Sequence, residues 1–373
     1  MRFYHPEPPR PANRQIHPVF IPFAGCPERC VFCAQNLQSG QETTPAEYLI
    51  ESAFKQLENL PPLKFRGGFQ TNPPPELAFY GGTFTALPVA VQEALLAEAG
   101  RLKNLGLVSR VRCSTRPDAI TPEILQRLRT YSIGNHHDSR VLDDIEIGVQ
   151  SFCREPLDAS RRNYSGETAV RACRLVRENG FGLGIQLMPG MPGMSAAHFK
   201  RDVEICAGLE PDTSRLYPCL VLAGTRLAEL WQAEDFLPWS LEEVLEHLPP
   251  AMLALWKRGI RIIRIGLAPQ PELETAILAG PSHPALGQRL RSLALFEFLS
   301  EKISQFDQLN PPVQLNKAEQ PALNISLYVP KRYQGELFGH GGELNERYAA
   351  LGLTPDRIVW WDKEYFSLGN KQL

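Results

Sequence analysis

No stretch of this 373-residue chain approaches the roughly 18 to 20 consecutive apolar residues of a membrane span, so no membrane partner is expected. A surplus of positive charge is missing too. Lys and Arg number 39 and Asp and Glu 41, a net charge of −2, which excludes the whole-chain basic footprint of a dedicated nucleic-acid binder and leaves only a local patch. The opening residues, Met1-Arg-Phe-Tyr-His-Pro-Glu-Pro-Pro-Arg10-Pro, contain no apolar h-region, so no secretory signal is expected. Five of the eight cysteines, Cys113, Cys153, Cys173, Cys206 and Cys219, lack the regular spacing of a disulfide framework. A reducing compartment, the cytoplasm, fits both observations. No internal repeat at a fixed period is visible. What the chain has is length for one large α/β domain with an appendage, and 43% hydrophobic residues to fill its core.

The other three cysteines are not scattered. Cys26, Cys30 and Cys33 lie in Phe20-Ile-Pro-Phe-Ala-Gly-Cys26-Pro-Glu-Arg-Cys30-Val-Phe-Cys33-Ala-Gln35, a C-x3-C-x2-C loop directly after a short apolar run. Thiols this close crowd one another unless something binds them, and thiolates favour iron-sulfur clusters, zinc or Cu(I). Structural zinc takes four ligands close in sequence, and no fourth Cys lies nearby. His17 opens the apolar run and would have to fold back over it to coordinate. A cluster of four irons with one left open is therefore favoured over zinc.

The same loop, with the aromatic Phe32 just before its third Cys, resembles the signature of radical S-adenosylmethionine (SAM) enzymes. In that family the open iron chelates the amino and carboxylate groups of SAM and passes it one electron, giving a 5'-deoxyadenosyl radical. The resemblance thus implies a [4Fe-4S] cluster on Cys26, Cys30 and Cys33, SAM as second cofactor, and an external electron donor such as flavodoxin or ferredoxin. From the residues alone, a non-catalytic electron-transfer protein or a zinc-binding scaffold is the alternative.

Prolines 6, 8, 9 and 11 forbid helix and ladder alike, so residues 1 to 16 read as an extended arm. A strand from His17 to Phe23 delivers the cysteine loop. Thr44-Pro45-Ala-Glu47 then signals a helix start, and the proline-rich segment 61 to 75 a loop. A second strand, from Leu77, stops at Gly81-Gly82-Thr83, where bare backbone can approach a ligand. Beside a three-cysteine loop these residues resemble the family's glycine motif, which holds the amino group of SAM. After a helix from Val89 to Leu105 comes a strand ending in Ser114-Thr115-Arg116-Pro117-Asp118, similar to the branch of the family that contains the Elongator catalytic subunit. A plain turn with Arg116 and Asp118 paired is the bland reading. Thr121-Pro122-Glu123 caps the next helix. His136, His137 and Asp138 sit among loop formers and are expected in a solvated loop without metal.

The strand Ile145 to Ser151 resembles the Gly-Val-Gln-Ser strand of the same branch, which aims Gln150 and Ser151 at the cofactor. Glu146, deeper in it, needs a buried ion pair or a role at the site. Arg162 and Ser165 match the family's Arg-Gly-His-Thr string while Asn163 and Tyr164 depart from it; Arg162 is implied to grip the SAM carboxylate as a fork. Cys173 lies at a core position of its helix. Gln186 and Met188, at the Pro/Gly-rich exit of a fifth strand, are expected at the mouth. Ser195 caps a helix ending near Gly208, Arg215 to Val221 is a sixth strand, and Arg261 to Leu267 is a further one beside it. Pro249-Pro250 should interrupt the helix that Ser240 opens. Residues 278 to 284 read as a loop, Gly287 to Lys302 as a helix, and 324 to 329 and 357 to 361 as short strands.

Strands alternating with helices specify a parallel sheet, with active groups at the strand C-termini. The expected fold is α/β, a partial (β/α)6 TIM-like barrel over 17–266, with an arm at 1–16 and a small C-terminal α/β extension at 267–373. The resemblance covers the barrel. In the Elongator-like branch an acetyltransferase domain follows, and together the two modify wobble uridine in tRNA. About a hundred residues remain here without a glycine-rich pyrophosphate loop, so that domain is expected to be absent. The tail from 321 is balanced in charge and no electrostatic arm. A tRNA substrate would then rely on Arg2, Arg10 and Arg14 in the arm and on Arg110, Arg112, Arg161 and Arg162 as a local basic rim. The glycine, proline and methionine loop at 188 to 194 suits a small apolar ligand as well.

Overall fold

The computed structural model describes residues 1–9, 15–40, 45, 48–66, 69–70, 72–133, 136–267, 270–309 and 325–370. Two compact units account for the chain: Pro9–Ser240 with Ile260–Ser282, and Met1–Pro8 with Leu241–Gly259 and His283–Leu373.

The larger unit is built on seven parallel strands, β1 (Ile16–Phe20), β2 (Glu76–Tyr80), β3 (Arg110–Thr115), β4 (Asp144–Gln150), β5 (Gly182–Leu187), β6 (Thr213–Leu216) and β7 (Arg261–Ile265). Each is hydrogen-bonded to its sequence neighbours, so the order across the sheet is the order along the chain. The sheet curls into the expected partial barrel, with one strand beyond the six β/α pairs. Leu77, Ala78 and Phe79 in β2 and Ile145 and Ile147 in β4 are fully buried, as strands covered on both faces require. Helices Leu49–Leu57, Val89–Asn104, Pro122–Thr130, Gly166–Glu178, Ala196–Leu209 and Arg226–Gln232 follow the first six strands in turn. Thr121, Ser165, Ser195 and Thr225 cap four of them, each side chain accepting an amide three residues on, which stabilises a helix by about 1 kcal/mol. Cys173 packs fully buried, as its position in the helix implies.

Two local expectations change. His136 does not open a loop: His136–Arg140 pairs antiparallel with Ser132–Ile133 as a short hairpin, because the turn formers at 134 and 135 fall between two strands. The loop expected from 278 begins later, since Ile277–Ala279 pairs with Val221–Leu222. The capping signal at Thr44 and Glu47 lies outside the described residues.

The smaller unit is a four-stranded sheet, in the order Arg2–Phe3, Phe366–Asn370, Ile325–Pro330 and Ile358–Trp361, packed with helix Leu286–Leu309. The arm is thus not wholly unpaired. Arg2 and Phe3 ladder with Ser367 and Phe366, since the prolines begin only at position 6, and Phe3 stacks on Phe366 at 5.7 Å. Helix Leu241–Lys257 runs through Pro249 and Pro250 without a break. Burial of Val244, Leu248, Met252, Leu255 and Trp256 on its face outweighs the lost amide bonds. No helix among the described residues is long and apolar enough to cross a membrane.

Candidate active site at the strand ends

The loop after β1 is held in shape by backbone before any side chain is considered. Phe23 and Gly25 take positive φ (60° and 72°), Ala24 N donates to Ile21 O at 3.1 Å, and Cys26 N to Phe23 O at 3.1 Å. The glycine pair after β2 locks onto this loop. Gly82 has φ 62°, and a Cβ there would stand 2.1 Å from Ala24 O, so no other residue fits. Thr83 N donates to Ala24 O at 2.7 Å, and Gln35 Oε1 accepts from both Gly82 N and Phe23 N. Sequence reasoning passed over Gln35; its place two residues after Cys33 was the available signal.

Around this lock lies a cavity of about 550 Å³ at the C-terminal ends of the strands. Cys26, Cys30, Phe32, Cys33, Gly81, Gly82, Ser114, Arg116, Gln150, Arg162 and Met188 line it, as does Gln186. Two of the expected residues do not. Thr83 is buried behind the wall, its Oγ1 3.3 Å from Cys26 Sγ. Ser151 is fully buried with its Oγ accepting from Cys153 N at 3.0 Å, because the chain turns under the sheet directly after Gln150. Gln150 reaches the cavity through a register shift in which β4 spends three residue steps, Ile147 to Gln150, against two in β5. Such a bulge re-aims a side chain. Gln150 itself takes φ 65°, and its Oε1 accepts from Gln186 Nε2 at 3.2 Å.

Cys30 receives two guanidinium groups. Arg162 Nη1 donates to its Sγ at 3.2 Å and Arg116 Nη1 at 3.7 Å. Arg162 also donates to Gly148 O and, from Nε at 2.8 Å, to Tyr164 Oη, so Tyr164, the departure from the family string, is the residue that fixes Arg162. Two of the five guanidinium N–H groups are left for a ligand. Arg116 does pair with Asp118, at 2.9 and 2.8 Å, as the bland reading held, and reaches Cys30 as well. Burial pushes the Cys33 thiol up to about 12, with Cys30 and Cys26 adding to the rise. Cys26 is raised by burial too, against the Thr83 bond. Thiols in this state wait for a positive centre to displace the proton.

The floor of the cavity is ionic. Glu146 lies between Arg112, whose Nη1 is 2.5 Å from its Oε1, and Arg215, whose Nε is 3.0 Å from its Oε2. Burial works against the Glu146 charge, but Arg215 and Arg112 hold its carboxyl below the ordinary carboxylate range. Arg112 bonds Glu76 as well, and Arg110 Nη2 meets Asp144 at 2.8 Å. Arg110 and Arg112 are therefore paired with carboxylates of the sheet, Arg162 is buried beside Cys30, and of the expected basic rim Arg161 is the exposed one.

Residues 20–206 match the model of the radical SAM superfamily, half of the chain, and residues 211–293 match the radical SAM C-terminal domain. The chain belongs to the radical SAM superfamily. It is 28% identical over 65% of its length to a tRNA uridine(34) acetyltransferase of Methanocaldococcus infernus, of which the match covers 50%. It is 26% identical over 59% of its length to Elongator complex protein 3 of Mus musculus, covering 42% of that protein. The chain thus spans about half the length of these curated relatives. A solved structure, the archaeal Methanocaldococcus infernus Elp3 with an N-terminal deletion, superposes with TM-score 0.55 at 23% identity, covering 78% of this chain and 63% of that one, a likeness of fold.

One further group supports the turn that leaves the cavity after Gln150. Asp202 is fully buried, and its Oδ1 accepts from Phe152 N at 2.7 Å, fastening the turn that follows Gln150. Burial raises its carboxyl to about 6, more than the bonds from Ser151, Phe152 and Cys153 lower it. A folded-state value above the unfolded one means that the neutral acid is the stable form: its contribution is full below pH about 4 and is lost as pH rises through about 6. The ionised form then costs up to about 3 kcal/mol. Asp202→Asn keeps an acceptor for Phe152 N and cannot ionise. It is expected to unfold at a higher urea concentration than the wild type at pH 8, with the gap closing by pH 4. A gap that does not change with pH would show that Asp202 is not the titrating group.

Proposed function

We propose that the protein is a radical SAM enzyme that holds a [4Fe-4S] cluster on Cys26, Cys30 and Cys33 and cleaves SAM reductively. One observation carries this reading: the three thiols, the Gly81-Gly82 turn, Gln150 and Arg162 meet in one cavity although they come from three strand ends. Among the described residues, no three His, Cys, Asp or Glu side chains gather closely enough to hold a single metal ion. A cluster does not require it, since each thiolate binds a separate iron and the donor set is all sulfur. Bound there, cluster and SAM would supply one-electron cleavage of a carbon-sulfur bond. The protein's own groups do the rest. Arg162 and Arg116 offset negative charge at Cys30, which raises the tendency of the site to accept an electron. Gly81 and Gly82, both at positive φ, present backbone to the SAM amino group, and the two remaining N–H groups of Arg162 face its carboxylate. The electron is proposed to come from an external flavodoxin or ferredoxin, and the site of action to be the cytoplasm.

Dithionite reduction of the anaerobically reconstituted protein with SAM should release 5'-deoxyadenosine, measured by chromatography. No nucleoside, with or without cell extract, would leave an electron-transfer protein as the better reading; a colourless protein that keeps its metal in air would leave a zinc scaffold.

A second reading adds tRNA as substrate, and the names of the relatives carry it: uridine(34) of tRNA is what the acetyltransferases are named for. With Arg110 and Arg112 paired to carboxylates and Arg162 buried at the site, such binding has few phosphate contacts to draw on. Filter binding of bulk tRNA across a salt series tests it. A steep loss of affinity with salt supports tRNA, and no binding at low salt removes it.

A further inference from the structure

We propose that the part of the cavity at β7 binds the carboxylate of a small organic acid through Arg264, an inference that rests on the radical SAM reading and names its class of substrate. The register between β6 and β7 shifts at this point: Ser214 pairs with Ile262 and Arg215 with Arg264, so Ile263 is an extra residue. The bulge turns both Ile263 and Arg264 to the cavity, beside Arg215 on the adjoining strand.

The two neighbouring arginines differ in what they have left to give. Arg215 is taken up by Glu146, Tyr80 and Tyr217, with its Nη1 2.9 Å from Tyr217 Oη. Among the described residues Arg264 uses its Nε alone, which donates to Gly266 O at 3.1 Å. Among the described residues its two Nη groups meet no carboxylate. The acids lining the cavity cannot answer it, since Glu146 is held between Arg112 and Arg215, and Glu28 accepts from Asn163 Nδ2 at 2.5 Å. A positive charge therefore faces the cavity with no carboxylate against it among the described residues.

The ligand class follows from the walls. Leu220, Leu222, Ile263 and Leu267 also line the cavity, and Leu220, Leu222 and Leu267 pack in one cluster with Ala34. One planar guanidinium beside aliphatic walls matches the single charge of a carboxylate on an apolar body, whereas a phosphate dianion, which fits the same fork, would leave one negative charge unbalanced. Bonds from a charged donor to a carboxylate stabilise a complex by about 1.5 to 3 kcal/mol, which is roughly tenfold or more in affinity.

Titration calorimetry on the anaerobically reconstituted protein tests this with hexanoate, hexanamide and hexyl phosphate as probes. The expected result is binding of hexanoate at least about tenfold tighter than hexanamide, loss of that preference in Arg264→Leu, and partial retention in Arg264→Lys. Equal binding of acid and amide, no binding of hexanoate, or a preference that survives Arg264→Leu would overturn it. Tighter binding of hexyl phosphate would also overturn it, and would assign Arg264 to a phosphate such as that of a nucleic acid. The comparison of acid with amide uses the wild type, so it does not depend on the variants folding. Release of 5'-deoxyadenosine by the same preparation without hexanoate binding sinks this inference alone. Hexanoate binding without 5'-deoxyadenosine sinks the proposed reaction and leaves the carboxylate site standing.

Discussion

Cys30→Ala protein, reconstituted under the same conditions as the wild type, is expected to carry iron and sulfide only at background and to show no cluster absorbance or EPR signal. The reason lies in what converges on Cys30. Of the three thiols it is the one that both Arg162 and Arg116 address, at 3.2 and 3.7 Å. Removing it takes away a ligand and leaves two buried guanidinium groups facing an apolar methyl. Cys26 and Cys33, both held protonated by burial, then lack the thiolate-and-cation arrangement that offsets cluster charge. Cys113→Ala is the control. That thiol is fully buried in β3, and burial together with Glu146 and Asp144 drives it far above the ordinary range, so it should not bind metal. Thr83→Val is expected to fall between, because its hydroxyl supports Cys26 from behind at 3.3 Å. Loss of such an outer partner weakens a metal site about 10- to 100-fold. A full cluster in Cys30→Ala would show that the ligands are not the three assigned.

Much of this arrangement was legible in the sequence because parallel β/α folds write it locally. Strand, glycine stop and cap recur in order, and the chemistry falls at each strand's C-terminal end. Cys26, Cys30, Cys33, Gly81, Gly82, Gln150 and Arg162 were readable from spacing and from a family resemblance. What escaped depends on contacts between distant positions. Ser151 belongs to the Gly-Val-Gln-Ser string but turns under the sheet, and no pattern within β4 distinguishes it from Gln150; the difference is a bulge set by pairing with β5. Gln35 and Tyr164 act through hydrogen bonds to two of the residues named from the sequence, Gly82 and Arg162. The unbroken helix through Pro249 and Pro250 is a case of burial overriding propensity. Arg110 and Arg112 looked like a basic rim because a sequence shows charge and not its partner, and the partners, Asp144, Glu76 and Glu146, come from other strands.

Glu146 is where that pairing has its largest expected effect on stability. The sequence left its role open between ion pair and site, and the structure places it as the anion between Arg112 and Arg215 under the cavity. Arg112 keeps Glu76 if Glu146 is removed, but Arg215 is left with only the hydroxyls of Tyr80 and Tyr217. Its charge cannot be shed, because a guanidinium stays protonated in a protein whatever its neighbours. Breaking a buried pair from one side costs about 3 to 5 kcal/mol, since an uncompensated charge remains in a poorly solvated place. Glu146→Ala is therefore expected to destabilise the protein by that amount in urea denaturation. Removing both charges relieves the fault: Glu146→Gln combined with Arg215→Met should recover most of the loss, the sign of a pair whose cost was desolvation. If Glu146→Ala unfolds within about 1 kcal/mol of the wild type, the pair is not structural, and Glu146 is free to act on the ligand in the cavity above it.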